Sequence, residues 1–278
     1  MRAISLLVSA AILLIWPALA QDGQPFNVGC TPPFTPEPHP IDTDCGIEGA
    51  GTAAAKKLES RAKNNFCAVG AGSSSSPARV TFVSFDRLQE ITDKDAFDLA
   101  NDRSGARALH TTSDGVVVGE GDVVMISGFV IRADIANRSN GESVNCNRGG
   151  STRNDVHIHV APSSSKAKSN FCKAVIAEMS PHLRPDNWNG GDLMLADGTP
   201  IRLTGQLFYD TSHTSAVCPS RAKDKAKARA SSWEIHPVYR VDVCRFTTLQ
   251  TCDPRDDSKW QALDVWLDEQ EEGNGGAN

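Results

Sequence analysis

Several features that mark common protein classes are missing from these 278 residues. There is no excess of basic charge, because 28 Lys and Arg against 34 Asp and Glu give a formal net charge of -6 at pH 7. Nucleic-acid binding depends on a basic footprint. Aromatic residues, at 6%, also supply few platforms on which bases could stack. The composition therefore disfavours nucleic acid as a partner.

The sequence also lacks several motifs of catalysis and cofactor binding. No serine lies in a Gly-x-Ser-x-Gly segment, and no glycine-rich phosphate loop of the P-loop or Rossmann type occurs. No close Cys-x-x-Cys pair is present, which disfavours a zinc ribbon. These absences leave no ready-made nucleophile or nucleotide site in the sequence.

Long apolar runs are missing after the first twenty residues. Arg2 is followed by an apolar stretch at Ile4–Trp16 and by a small-x-small site at residues 18–20. This pattern predicts a signal peptide over residues 1–20. No later segment approaches the ~20 apolar residues that a bilayer-spanning helix needs. We therefore expect a mature chain without a membrane span, exported to the periplasm or the extracellular space.

The predicted mature region contains eight cysteines, an even number. In an exported chain such a set predicts up to four disulfides, although the sequence alone leaves their pairing open. Cys244 and Cys252 flank a segment able to turn, and we expect them to pair. Cys30 and Cys45 are expected to hold the proline-rich segment at residues 21–50 in place. The cysteines are Cys30, Cys45, Cys67, Cys146, Cys172, Cys218, Cys244 and Cys252.

The composition of the chain changes near residue 115. Residues 21–50 are rich in proline and glycine, which favours an extended, non-helical conformation. Residues 52–66 and 86–101 have helical patterns. We expect a signal peptide at 1–20, an irregular and partly helical N-terminal region at 21–115, a β-barrel at 116–252 and a C-terminal tail at 253–278.

From residue 116 onward, runs rich in β-branched residues predict five main strands. A short helix is expected around residues 192–196, between the third and fourth strands. Gly128 and Gly205 interrupt the first and fourth strands, where a closing sheet often needs a bulge or a tight bend. Alternation in the fifth strand predicts that Trp233 is a core anchor. The predicted strands cover residues 122–133, 155–160, 174–179, 201–210 and 232–244.

This element order, together with the segments SGFV, LTGQLFYD and WEIHPV, resembles the OB-fold over about residues 120–245. The resemblance implies a mainly β fold class with minor α, built on a five-stranded OB-like Greek-key barrel. It also implies that the long loops 134–154 and 211–231 meet the ligand. The chain is similar, in addition, to secreted bacterial proteins that share an NFCA segment and a WEIHPV ending. This second resemblance implies no activity.

One face of the predicted sheet is unusually polar. Because strand side chains alternate with period two, Asp155, His157 and His159 share a face opposite the valines and isoleucine between them. If the strand registers align, further polar residues converge on the same face. These are Glu178, Asp210, His213, Glu234 and His236.

Three interpretations of the polar face stay open. The first is a hydrogen-bond network whose members satisfy one another. The second is a divalent metal site, such as a zinc site, with Glu178 or Glu234 as general base for hydrolysis by metal-bound water. The third is metal-free acid–base catalysis by a histidine and a carboxylate. The candidate metal ligands are His157, His159, His213 and His236.

The function that we favour from the sequence is that of an exported binding protein. A small polar molecule, a glycan or a protein surface would meet the polar face and the long loops, which is an inference from fold analogy. The candidate ligand-binding residues are Asp155, Arg202, Gln206 and Asp210. The alternative is a metal-dependent hydrolase centred on the strand that carries His157 and His159, so the sequence leaves enzymatic activity open.

Overall fold

The computed structural model describes residues 39–65, 80–91, 103, 106, 110–111, 115–185, 188–218 and 227–275. The predicted signal peptide, Cys30, Cys67 and the second half of the helix predicted at 86–101 lie outside these residues. Within the described ranges, no helix is both long and apolar enough to cross a membrane.

Short elements precede the barrel. Helix α2 begins where it does because the Ser84 side chain accepts a hydrogen bond from the Arg87 backbone N–H, which caps the helix. The N-terminal region is thus partly helical, as the sequence predicts. Its elements are a 3-10 turn (Pro40–Thr43), α1 (Ala54–Lys63), β1 (Thr81–Phe82), α2 (Phe85–Glu90), β2 (His110–Thr111) and β3 (Val117–Val118).

Five strands close into a barrel: β4 (Val123–Ile135), β5 (Val156–Ala161), β6 (Val175–Met179), β7 (Pro200–Tyr209) and β8 (Trp233–Cys244). Neighbouring strands follow the order β4, β5, β6, β8, β7, and β7 pairs with β4 to complete the circle. Only the β6–β8 pair of this barrel is parallel. The mainly β fold with a five-stranded OB-like Greek-key barrel confirms the predicted fold class.

Connections and the C-terminal region add further elements. They are α3 (Lys168–Phe171), α4 (Gly190–Leu195), β9 (Trp260–Ala262) and α5 (Leu263–Gly275). Helix α4 lies between the third and fourth barrel strands, as predicted, and Asn189 caps it by accepting hydrogen bonds from the Gly191 and Asp192 N–H groups. The predicted C-terminal tail contributes β9, which pairs with β8.

The barrel interior forms the main hydrophobic core, which includes Val156, Ile158 and Val160 of β5. Trp233 is fully buried in this core and stacks edge-on against Tyr209, with 5.1 Å between ring centroids. The Trp233 indole N–H donates to the Ile91 carbonyl at 2.7 Å, just after α2. The prediction that Trp233 anchors the core is confirmed.

The two strand glycines allow close approach of neighbouring chain. The register of β7 against β8 shifts on both sides of Gly205, which confirms the bulge predicted there. At Gly128 the β4–β7 register is continuous, but a Cβ atom would lie 2.6 Å from the Ala161 carbonyl oxygen. Gly128 therefore allows the backbone of β4 to lie close to the end of β5.

Three disulfides join the described elements. Cys45 bonds to Cys146 and so ties the N-terminal region to the β4–β5 loop. A second bridge joins Cys172 to Cys218. The predicted pairing of Cys244 with Cys252 is confirmed.

Candidate functional site

The outer face of the barrel carries two rows of cross-strand neighbours. The first row runs through His157, Glu178, His236 and Gln206. The second row runs through His159, Ile176, Glu234 and Phe208. The strand registers therefore bring the polar residues of β5, β6 and β8 together, because period-two alternation places all of them on the same side of the sheet.

The end of α1 covers this face. The Gln206 amide donates to the Ala62 and His236 carbonyl oxygens, both at 2.8 Å, and accepts a hydrogen bond from Asn65. Just after β6, the Ser180 hydroxyl donates to the Asn64 side-chain oxygen at 2.8 Å. Under this cover the polar face is largely buried.

Four residues of the face and one residue of the β4–β5 loop form what we call the carboxylate–imidazole cluster. The face contributes Asp155, His157, Glu178 and His236, and the loop contributes Glu142. Each Glu178 oxygen contacts a different imidazole, with Oε1 3.1 Å from His157 Nε2 and Oε2 2.9 Å from His236 Nδ1. His157 Nε2 lies 3.9 Å from Glu142 Oε1. His236 Nε2 lies 3.9 Å from Asp155 Oδ2. The cluster is thus continuous from the loop to β8.

Hydrogen bonds leave this cluster unsatisfied. Asp155 is fully buried, and neither of its carboxylate oxygens has a hydrogen-bond partner in the part of the chain that the structure describes. The same holds for both ring nitrogens of His236, since its 2.9 Å contact with Glu178 does not have the geometry of an N–H···O hydrogen bond. Buried polar atoms are normally paired, so this convergence calls for an explanation.

Charges in the cluster act on one another. Burial opposes ionisation of Glu178, but the charges of His157 and His236 outweigh it and hold the pKa of this carboxyl well below its usual range. Burial also opposes protonation of His157, yet the Glu178 carboxylate raises the pKa of this ring to about 9. Burial and the charge of Asp155 raise the pKa of Glu142 to about 7. His157 and Glu178 therefore form a charged pair across β5 and β6.

A second polar group lies at the end of β7 and the start of β8. His213 Nδ1 contacts Asp210 Oδ2, and Asp210 Oδ1 accepts hydrogen bonds from the Ser212 N–H at 2.9 Å and hydroxyl at 2.6 Å. Arg229 Nη1 contacts Glu234 and lies 3.6 Å from Asp210 Oδ2. The buried guanidinium already compensates the two carboxylates, which leaves this group less suited to a metal ion.

The pKa values of the two carboxyl groups near Arg229 are shifted in opposite directions. Burial raises the pKa of Asp210, but the charges of Lys63 and His213 outweigh it, so the pKa lies well below its usual range. Burial, reinforced by the charge of Asp210, holds the pKa of Glu234 well above its usual range. Glu234 is also engaged by Arg229, which leaves it less suited to the general-base role considered for it from the sequence.

Two residues singled out in the sequence stand apart from the cluster. His159 packs edge-on against Phe171, with 5.5 Å between ring centroids, and burial together with Arg229 lowers its pKa to about 3. Arg202 forms ion pairs with Asp242 at 2.8 Å and Asp257 at 2.7 Å. Arg202 thus ties β7 to β8 and to the turn before β9.

Two residues of the site were missed by the sequence reasoning. Glu142 enters the cluster from the β4–β5 loop, which the Cys45–Cys146 disulfide holds near the barrel. Lys63, at the end of α1, is close enough to Asp210 and Glu178 for their charges to raise its pKa against the opposing effect of burial. The proximity of Glu142 to a cysteine was the one local signal for either residue.

No known protein family, curated protein or solved structure matches this chain.

Proposed function

We propose that this chain is an exported protein that binds a divalent metal ion in the carboxylate–imidazole cluster of its OB-like barrel. One observation carries the proposal. Asp155 is fully buried, lacks a hydrogen-bond partner among the described residues, and has an oxygen within 4.8 Å of ligand atoms from both Glu178 and His236. Leaving a buried charged group unpaired is costly, and a cation would supply the missing interaction.

The spacing of the ligand atoms supports a metal ion. Metal–ligand bonds of about 2.1 Å place neighbouring ligand atoms about 3.0 Å apart around an octahedral ion and about 3.4 Å apart around a tetrahedral one. The contacts of Glu178 with His157 and His236 measure 3.1 and 2.9 Å. Those of Asp155 with His236 and of Glu142 with His157 measure 3.9 Å, so these two carboxylates would move closer to the imidazoles around an ion. Mixed carboxylate and imidazole ligands suit Zn²⁺, Mn²⁺ or Fe²⁺.

The cover over the polar face favours an ion over larger ligands. A glycan or a protein surface needs an exposed area, whereas Glu178 and His236 lie beneath the end of α1. Among the described residues, the cluster is exposed at the edge formed by His157 and Glu142, whose side chains are 24% and 19% exposed. An ion with its bound water can enter by such an edge.

Two features support the export part of the proposal. The first residues have the pattern of a signal peptide. The described chain contains three disulfides, which persist in oxidising compartments and are rare in the cytosol of mesophiles.

Metal-dependent hydrolysis is the second candidate function, and the open edge of the cluster favours it. A divalent ion lowers the pKa of bound water to about 7, so that hydroxide can attack an ester while the proton passes to the leaving alcohol. Metal-loaded protein should then hydrolyse chromogenic phosphate or carboxylate esters. Activity that survives a chelator, or the Asp155→Asn substitution, would contradict this candidate.

The proposed metal binding is tested on the full oxidised chain after treatment with a chelator. Binding of Zn²⁺ and Mn²⁺ is measured by equilibrium dialysis with elemental analysis, beside the variant Asp155→Asn. Asp197→Asn is the matched control, because Asp197 is exposed just after α4, pairs with Lys166 and belongs to no ligand set among the described residues. We expect wild type and control to bind at micromolar free metal, and Asp155→Asn to bind at least about 10-fold more weakly.

Circular dichroism establishes that the variants keep the fold of the wild type. Wild-type protein that retains no ion would overturn the proposal. An Asp155→Asn variant that is folded and binds as tightly as wild type would overturn it as well.

A further inference from the structure

We infer that the carboxylate–imidazole cluster holds two divalent ions, bridged by the carboxylates of Asp155 and Glu178. This inference rests on the proposed function and specifies the kind of metal centre. Among the described residues, three sets of ligand atoms each lie within 4.8 Å of one another, and two of them share Asp155. One of these two sets is Asp155, Glu178 and His236, and the other is Glu142, Asp155 and His157.

Glu178 has the contacts of a bridging ligand. Its Oε1 faces His157 at 3.1 Å, and its Oε2 faces His236 at 2.9 Å, so the two imidazoles belong to different oxygens of one carboxylate. An ion beside each imidazole would then bind one Glu178 oxygen. Dinuclear sites with ions about 3.5–4 Å apart are built in this way around shared ligands.

The surroundings of Asp155 support a second bridging carboxylate independently of Glu178. It is fully buried, and among the described residues neither oxygen is engaged in a hydrogen bond. A carboxylate that served one ion through one oxygen would leave the other oxygen buried and unpaired, at a cost. Two ions would use both oxygens.

The second polar group of the face does not compete for these ions. Arg229 contacts Glu234 and lies 3.6 Å from Asp210, so a cation at that group would meet a buried positive charge. The ions are therefore assigned to the cluster without arginine, where the charge of Lys63 acts on Glu178 less strongly than it acts on Asp210 of the second group. His159, on the same face of β5 but packed against Phe171, is not part of either ligand set.

The experiment is a count of metal ions per chain. Chelator-treated, oxidised protein is loaded with Zn²⁺ for elemental analysis, and separately titrated with Mn²⁺ under electron paramagnetic resonance, which distinguishes an exchange-coupled pair from isolated ions. We expect two ions per chain and the spectrum of a coupled pair. His157→Ala should bind one ion and show isolated Mn²⁺. It removes a ligand of the set formed by Glu142, Asp155 and His157 and leaves the other set intact.

His159→Ala is the matched control and should keep both ions. One ion per wild-type chain, or two ions without coupling, would overturn the bridged pair while leaving the proposed function standing. No bound ion would overturn both. A folded His157→Ala variant with two coupled ions would overturn the ligand assignment, and the wild-type count tests the inference even if that variant fails to fold.

Discussion

At the scale of single residues, His157 and His159 lie two positions apart on β5 and face the same way, yet their surroundings shift their pKa values in opposite directions. The Glu178 carboxylate overcomes the effect of burial and raises the pKa of His157 to about 9. Burial lowers the pKa of His159 to about 3, and the charge of Arg229 adds to this effect. The two rings therefore carry different charges at neutral pH, and the His-x-His motif is not a pair of equivalent ligands.

Replacing His159 with Leu should make stability less sensitive to acid. The folded-state pKa of about 3 lies below the value of about 6.5 expected in the unfolded chain, so the unfolded chain binds the proton first. Stability linked to His159 is therefore full above about pH 6.5 and is lost as the pH falls toward 3, by up to about 1.4 kcal/mol per pH unit. Urea unfolding of wild type and His159→Leu across this range measures the difference. Parallel pH profiles would contradict this prediction.

Trp233→Ala should destabilise the fold severely. The ring is fully buried, packs on Tyr209 and donates a hydrogen bond to the Ile91 carbonyl, so its removal leaves a cavity and an unpaired acceptor. A loss of about 3–5 kcal/mol in the free energy of unfolding is expected. Trp266→Ala, at a half-buried position on α5, is the control and should cost less. Equal losses would show that burial in the barrel does not set the effect.

At the scale of elements, the placement of α1 decides how accessible the site is. The helix ends over the barrel, where the Ala62 carbonyl accepts from Gln206 and Asn64 accepts from Ser180. The Tyr239 hydroxyl donates to the Asn65 carbonyl at 2.7 Å. These polar contacts, rather than an apolar stripe alone, hold the cover on the polar face.

The β7 bulge should tolerate no side chain at Gly205. A Cβ atom there would lie 2.5 Å from both Ile235 Cγ2 and the Pro237 carbonyl oxygen, and the backbone of Pro237 cannot move without disturbing β8. Gly205→Ala should therefore cost about 1–3 kcal/mol in denaturant unfolding. Gly46→Ala is the control, because a Cβ atom at Gly46 meets no atom within 4 Å. A Gly205→Ala variant as stable as the control would contradict the tight packing at the bulge.

At the scale of the whole molecule, the disulfides connect parts that lie far apart in the sequence. The Cys45–Cys146 bridge spans 101 residues and joins the covering region to the loop that carries Glu142. The Cys244–Cys252 bridge spans 8 residues and closes a local turn after β8. The first bridge therefore helps to assemble the site, whereas the second shapes one corner.

Removing Cys45–Cys146 should destabilise the protein more than removing Cys244–Cys252. In the chain-entropy model a bridge that closes about 100 residues contributes about 4.7 kcal/mol, against about 3 kcal/mol for about 15 residues. Paired Cys→Ala variants at each bridge, compared by thermal unfolding, measure the two losses, and the reverse order would contradict the prediction.

Thiol titration of exported wild-type protein should find the cysteines oxidised. Eight free thiols would contradict the disulfide framework.

Local pattern in the sequence was enough for much of the architecture. Runs of β-branched residues located the barrel strands within a few residues, because a half-buried strand requires period-two alternation. The same alternation placed Trp233 in the core and the histidines of β5 outside it. Gly205 and the Cys244–Cys252 pair were predictable as well, because each depends on neighbours close in sequence or on backbone freedom.

Only the tertiary structure decided which polar residues meet. Alternation assigns a side chain to a face, but it specifies neither strand register nor the loop that covers the face. Glu142 joined the cluster through a disulfide across 101 residues, and His159 left it because Phe171 and Arg229 lie beside that ring. Charge and burial at each histidine depend on residues distant in the chain. The sequence by itself thus determined the barrel and its polar face, and folding decided which of those groups form a site.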